Sequence, residues 1–165
     1  MQQQTFYLIC PIGFEDILIN ELKLKWNLHY HEIDFPNINK EVGGVEIETQ
    51  LFLGLELNRI LKIPTRILLR LKQQKCRDYP KLYNILKKFP WKEYLKQDNI
   101  EFQVSTSKSR LLHSGRIEES ATKAIIDYFS ANKIREKNKL KNVPKQRIFL
   151  RIHEDLLSIS LDTSG

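Results

Sequence analysis

Between Ser105 and Arg116 the chain carries Lys108, Arg110, His113 and Arg116, interleaved with the hydroxyls of Ser105, Ser107, Ser109 and Ser114. Cations and hydroxyls mixed in this way suit one kind of chemistry, the holding of a phosphate or another anion. Upstream, Phe102, Val104 and Thr106 alternate with Glu101, Gln103 and Ser105, the period of a half-buried strand. Downstream, Ile117, Ala121, Ala124, Ile125, Tyr128 and Phe129 recur at helical spacing and mark one apolar face. Ser114 is expected to cap that helix, Glu118 and Glu119 suit its dipole, and Lys123 adds a cation farther along it. A strand end, a basic turn and a helix N-terminus together make a candidate phosphate-binding corner. Taken alone, the charge also fits a solvated surface turn.

A second basic stretch lies downstream. From Lys133 to Arg147 there are seven cations, Lys137, Lys139 and Lys141 among them, against the single acid Glu136. That is nearly all of the formal net charge of +7 carried by the 165 residues. Such a segment can attract a polyanion over about one Debye length, roughly 8 Å at physiological salt, or it can simply be a solvated lysine-rich loop.

The elements that would position these groups fall into two parts, residues 1–76 and 77–165. In the first, Phe6–Cys10 reads as a strand broken by Pro11 and Gly13, and Phe14, Ile17, Leu18 and Leu22 as the buried face of a helix. Leu28–Phe35 looks extended, with His29 and His31 on one strand face, Pro36–Lys40 reads as a turn, and Val42–Glu48 as the next strand. Gly43 and Gly44 point to a kink or a close backbone approach. Thr49 is placed to cap a helix through Leu61, ended by Pro64. Ile67, Leu69 and Leu71 then alternate with Arg66, Arg70 and Lys72, which predicts a strand with one apolar and one basic face. The βαββαβ order is that of a ferredoxin-like fold, and it sets the first and last strands side by side and antiparallel.

In the second part Pro80 suits a helix start, with Leu82, Ile85, Leu86 and Phe89 facing inward, and Pro90 opens a shorter helix whose Trp91 is expected in the core. The strand, turn and helix of the corner come next. Ile148, Leu150 and Ile152, then Leu157, Ile159 and Leu161, predict a hairpin turning at Glu154–Asp155. The fold class expected is α+β, a ferredoxin-like part followed by an α/β part.

Composition bounds the function. With 41% hydrophobic and 28% charged residues, the chain is that of a globular protein, and no apolar run approaches the roughly 20 residues of a membrane span. The N-terminus lacks the basic start and long apolar run of a signal peptide, which points to the cytoplasm and to no membrane partner. Cys10 and Cys76 read as small buried hydrophobes at opposite ends of a strand pair rather than as a disulfide. The dispersed histidines complete no metal site. There is no GxGxxG after a strand, P-loop, GxSxG or HExxH, so no catalytic residues and no cofactor site are assigned to this chain.

The wording STSKSRLLHSGRIEESATKAI resembles the THUMP domain of RNA-modifying enzymes, in particular of the guanine 2-amino methyltransferases that act on large-subunit ribosomal RNA. CPIGFEDILINEL, VGGVEIE, LYNILKKFPWKEYL and LSISLDTSG fall in the same order as in that family, so the resemblance covers nearly the whole chain. It implies a ferredoxin-like domain over 1–76 and a THUMP domain over 77–165. It also implies a structured RNA as partner, ribosomal or transfer RNA but not DNA, with Lys108, Arg110, His113, Ser114, Arg116, Lys123, Lys137, Lys139 and Lys141 as candidate contacts. In such methyltransferases a separate domain carries the S-adenosylmethionine loop and an Asn-Pro-Pro-type motif for the target base. Neither is found here, so the chain is expected to be non-catalytic alone, the RNA-binding front of an S-adenosylmethionine-dependent enzyme. The division makes physical sense, because RNA offers shape, phosphates and 2′-hydroxyls that a basic module can grip while a pocket elsewhere does the chemistry. A module of a transfer-RNA methylating or thiolating enzyme, a non-enzymatic adaptor presenting transfer RNA, and a protein-interaction domain solubilised by its lysines are the competing readings.

Overall fold

The computed structural model describes residues 3–95, 100–132 and 145–164. The described chain is mixed α/β, with seven strands and four α-helices: β1 (Gln3–Ile9), α1 (Glu15–His29), β2 (Ile38–Glu41), β3 (Gly44–Gln50), α2 (Leu51–Ile60), β4 (Arg66–Lys75), α3 (Tyr79–Lys88), β5 (Ile100–Ser107), α4 (Ser114–Ala131), β6 (Gln146–His153) and β7 (Leu156–Asp162). It divides into two compact units, Met1–Leu71 with Ser160–Gly165, and Lys72–Ile159. Among the described residues no helix is long and apolar enough to cross a membrane.

In the first unit the strands lie in the order β2-β3-β1-β4, each antiparallel to its neighbour. Alternation sends Phe6 and Leu8 of β1, Val45 and Ile47 of β3, and Ile67 and Leu69 of β4 to one face. There they pack with Leu18, Leu22 and Trp26 of α1 and with Leu53 and Leu57 of α2. Phe14 and Ile17, expected on the buried face of α1, are instead exposed. Phe14 stands at the N-cap, and the buried stripe is carried by Leu18, Leu22 and Trp26.

The strand expected over Leu28–Phe35 does not form. Helix α1 runs on to His29, and His31 lies in a turn, so the two histidines share no strand face. Trp26 is the physical reason. Its ring is buried, Tyr30 and Phe35 meet it edge-on at 5.3 and 5.9 Å, and its Nε1 donates to the Ile33 carbonyl at 2.9 Å. The residues after the helix therefore wrap around the indole, and the strand is delayed to β2, within the stretch read as a turn. Thr49 is likewise not a cap. It lies buried in β3, and Gln50 occupies the N-cap of α2 without a side-chain bond.

The β2–β3 turn carries Gly43 at φ +81°, and a side chain on Gly44 would sit 2.7 Å from the Leu8 carbonyl and the Tyr7 ring. Both glycines are thus demanded by backbone geometry, one by a left-handed turn and one by a close approach. Glu15 ties this turn to the β1–α1 loop, its carboxylate accepting from Gly13 N at 2.9 Å and Gly43 N at 2.8 Å. The Gly43 amide leads the interactions that hold the Glu15 carboxyl below the usual glutamate range. A depressed carboxyl stabilises the fold above the unfolded-state pKa and loses that contribution as pH falls through the folded value. Glu15→Gln is therefore expected to melt below the unsubstituted chain at pH 7. The gap should close on acidification below the ordinary glutamate range, as read by melting curves across pH. A gap independent of pH would place the role of Glu15 elsewhere.

Of the basic face expected on β4, Lys72 is exposed, whereas Arg66 and Arg70 are engaged within the chain. The Arg66 Nη1 lies 2.7 Å from Asp162 Oδ2. Arg70 is buried, bonded through Nη1 to Glu46 and stacked with its guanidinium carbon 4.7 Å from the centre of the Tyr7 ring.

In the second unit β5 and β6 pair in parallel, from Ile100 opposite Gln146 to Ser107 opposite His153, and β7 lies beside β6 in the order β7-β6-β5. Helix α4 buries the six apolar residues expected of it, Ile117, Ala121, Ala124, Ile125, Tyr128 and Phe129. Helix α3 presents Leu82, Ile85 and Leu86 inward and is capped by Asp78, whose Oδ1 accepts from Lys81 N at 2.7 Å. Pro90 is the N-cap of a short 3-10 turn over Trp91–Glu93, and the fully buried Trp91 donates through Nε1 to the Leu86 carbonyl at 2.7 Å. Cys10 and Cys76 are both buried and free, and burial pushes the Cys76 thiol up to about 11.

Candidate nucleic-acid interface

The corner lies wholly within the second unit, where the end of β5, the loop to α4 and the β6–β7 hairpin converge. The hairpin turns at Glu154 and Asp155, both with positive φ (50° and 62°), the backbone of a tight two-residue turn usually given to Asn or Gly. Glu154 N donates to the Ser107 carbonyl at 3.3 Å, and Ser107 Oγ lies 2.8 Å from His153 Nδ1, so the hairpin tip is fastened to the end of β5. Lys108, also at positive φ, then turns the chain away from the sheet.

Asp155 organises the loop between β5 and α4. Its Oδ1 accepts from Arg110 N at 2.9 Å and from Ser109 Oγ at 3.0 Å. Its Oδ2 lies 3.4 Å from Arg77 Nε and 3.9 Å from Arg110 Nε. The Arg110 amide, then the Ser109 hydroxyl and the two guanidiniums, hold its carboxyl below the usual aspartate range. The next residue, Leu111, is buried, and Thr106 Oγ1 donates to its carbonyl, so the loop is anchored on both sides of its exposed cations.

The cations on this frame are exposed and loosely held. Lys108 Nζ stands 3.8 Å from Glu154, and the Arg110 side chain retains 71% of its surface. The Arg116 guanidinium carbon lies 4.7 Å from the centre of the Tyr79 ring, which brings the first turn of α4 to the first turn of α3. At such distances the attractions are screened and exchangeable, so an incoming phosphate can displace them.

Ser114 does not cap α4. It is already helical, and the N-cap is His113, exposed and in extended conformation, with no side-chain bond to the helix. With Leu111 anchoring the loop, the chain enters the helix one residue before the serine could act as cap. The first amides of α4 consequently have no side-chain acceptor from the cap residue, which suits an anion at that end. Lys123 is not gathered into the corner. It lies nine residues beyond Ser114, about 14 Å along the helix axis, beside Glu119 and Ile126 on the outer face. Lys137, Lys139 and Lys141 lie outside the described residues. Ser105 faces outward on β5.

Sequence reasoning missed Asp155, Arg77 and Tyr79. Asp155 was legible only as a turn residue. The signal that could have found it is an acid standing where a hairpin turn favours glycine or asparagine, a position at which the carboxylate itself is the feature to explain. Chemically the corner can bind an anion but has little to react with. Among the described residues of the corner, Ser107 and His153 come closest to a nucleophile and base, yet both reach solvent, and the Glu154 carboxylate stands 3.8 Å from His153 Nε2. Among the described residues no cluster of His, Cys, Asp and Glu could hold a metal ion.

No family model matches the chain. A ribosomal RNA large subunit methyltransferase K/L of Marinomonas sp. is 26% identical to it over 167 residues, covering 99% of this chain and 22% of that protein. The chain thus spans about a fifth of the length of the curated relatives it matches. Among solved structures, a possible methylase from Clostridium difficile 630 superposes with a TM-score of 0.79 at 24% identity, covering 98% of this chain and 41% of that one. A 4-thiouridine synthetase solved in complex with RNA and ATP gives a TM-score of 0.55 at 12% identity, covering 98% and 41%. At these identities the structural likeness speaks for the fold.

Proposed function

We propose that the chain is an RNA-recognition module of an S-adenosylmethionine-dependent RNA methyltransferase that modifies a guanine of large-subunit ribosomal RNA. The observation that carries this reading is the match along 99% of the chain to one stretch of a ribosomal RNA methyltransferase. Residues 1–76 serve as a ferredoxin-like part, for which the antiparallel order β2-β3-β1-β4 speaks. Residues 77–165 serve as the THUMP part that grips RNA in the cytoplasm, with Lys108, Arg110, His113 and Arg116 facing phosphates and the Lys133–Arg147 segment adding diffuse charge. S-adenosylmethionine and the target base belong to another part of the enzyme. The likeness to the 4-thiouridine synthetase favours a second reading, a module of an RNA-thiolating enzyme, with transfer RNA as the partner.

The test is a competition titration of the purified chain against ribosomal RNA fragments, transfer RNA and an unrelated duplex at two salt concentrations, beside a methyl-incorporation assay with S-adenosylmethionine. Binding without methyl transfer is expected, with ribosomal RNA preferred. Preference for transfer RNA would favour the thiolation reading, and methyl transfer by the chain alone would refute the division of labour. Arg110→Ala with Arg116→Ala should lower the preference as well as the affinity, because the loop anchored by Asp155 and the first turn of α4 carry the two groups on fixed backbone. Lys137, Lys139 and Lys141 changed together to Ser should weaken every RNA alike and flatten the salt dependence by at most about 0.7 log units per lost contact.

A further inference from the structure

Asp155 combines two jobs that its two oxygens keep separate. Oδ1 is committed to the loop, through Arg110 N and Ser109 Oγ at 2.9 and 3.0 Å. Among the described residues Oδ2 faces the looser guanidiniums of Arg77 and Arg110, at 3.4 and 3.9 Å, on side chains that keep 55% and 71% of their surface. The carboxylate itself is mostly covered, its side chain 18% exposed. Two arginines arranged around one carboxylate oxygen are arranged as they would be around one phosphate oxygen.

We propose that Asp155 is the positioning residue of the RNA-binding corner: Oδ1 fixes the Ser109–Arg110 backbone, while Oδ2 holds Arg77 and Arg110 in the place that an RNA phosphate takes over on binding. The inference rests on the RNA reading above and adds Arg77 to its contacts. Asp155 does not touch RNA. It acts by shaping the loop, which sets selectivity, and by opposing phosphate with its own charge, which lowers affinity.

The two jobs can be separated because Asp155 sits at φ +62°, a conformation that both asparagine and glycine accept. Asp155→Asn keeps a carbonyl oxygen for Arg110 N and Ser109 Oγ but removes the charge. Asp155→Gly removes both without straining the turn. In the competition titration, Asp155→Asn should keep the preference of the unsubstituted chain and bind every RNA several-fold more tightly. Asp155→Gly should bring the preference ratio down toward one, and Arg77→Ala should weaken binding. Hydrogen exchange at the Arg110 amide gives a readout without RNA, protected in the unsubstituted chain and in Asp155→Asn, and exposed in Asp155→Gly. Unchanged preference in Asp155→Gly, or equal loss of preference in both variants, would overturn the inference while leaving the RNA reading intact. Absence of RNA binding by the unsubstituted chain would overturn the RNA reading, and this inference with it.

Discussion

Ile125→Asp is expected to unfold the second unit. Ile125 is 2% exposed, in the middle of the apolar stripe by which α4 packs, between Ala121 and Phe129. An aspartate there either buries an unpaired carboxylate or takes up a proton to avoid doing so, and either route costs several kcal/mol. Against a typical domain stability of about 5–15 kcal/mol, that leaves little or nothing. Ile125→Val, which removes one methylene, should cost about 0.5–1.5 kcal/mol and leave the fold standing. The two tryptophans provide the measurement, since Trp91 Nε1 donates to Leu86 O in the second unit and Trp26 Nε1 to Ile33 O in the first. In a nitrogen–proton correlation spectrum the Trp91 indole signal of Ile125→Asp should collapse to its unfolded position. An undisturbed Trp91 signal would mean that position 125 does not face the core.

The stripe of α4 was legible in the sequence because helix period and burial agree along its whole length. The hairpin at Glu154–Asp155, the inward face of α3 and the core role of Trp91 were legible for the same reason, local pattern and final environment coinciding. Two kinds of feature were not. One is tertiary override. The pattern after Trp26 suggests a strand, but a buried indole recruits Tyr30 and Phe35 and keeps the backbone out of the sheet. The other is the destination of charge. Sequence shows that Arg66, Arg70, Arg77 and Arg110 are cations, yet not that Arg66 meets Asp162, that Arg70 meets Glu46, or that one aspartate lies between Arg77 and Arg110. Those partners lie from 24 to 96 residues away in the chain, beyond the reach of any local pattern. The basic turn was therefore readable as a candidate site, and the residue that shapes it was not.

Glu46→Ala is expected to be among the most damaging single changes in the first unit, even though Glu46 reads as an ordinary outward residue between Val45 and Ile47. Its partner Arg70 keeps only 5% of its side-chain surface, and Arg70 Nε has no hydrogen-bond partner among the described residues. Removing Glu46 strands that guanidinium with the Tyr7 ring as its remaining support. Loss of one member of a buried pair typically costs about 3–5 kcal/mol. The lower end is expected here, because the Glu46 side chain keeps 19% of its surface and water can reach part of the site. Burial pushes the Glu46 carboxyl above the usual glutamate range despite the attraction of Arg70, the opposite of Glu15. A raised carboxyl favours the fold below the unfolded-state pKa and loses that contribution as pH rises through the folded value. Replacing a buried ion pair by apolar residues of similar volume is often neutral or stabilising, since desolvation offsets much of the attraction. Glu46→Leu combined with Arg70→Leu should consequently recover most of what Glu46→Ala loses. Denaturant titrations of the three proteins at pH 7 give the comparison. If the double substitution is as damaging as Glu46→Ala, the pair contributes more than its desolvation costs.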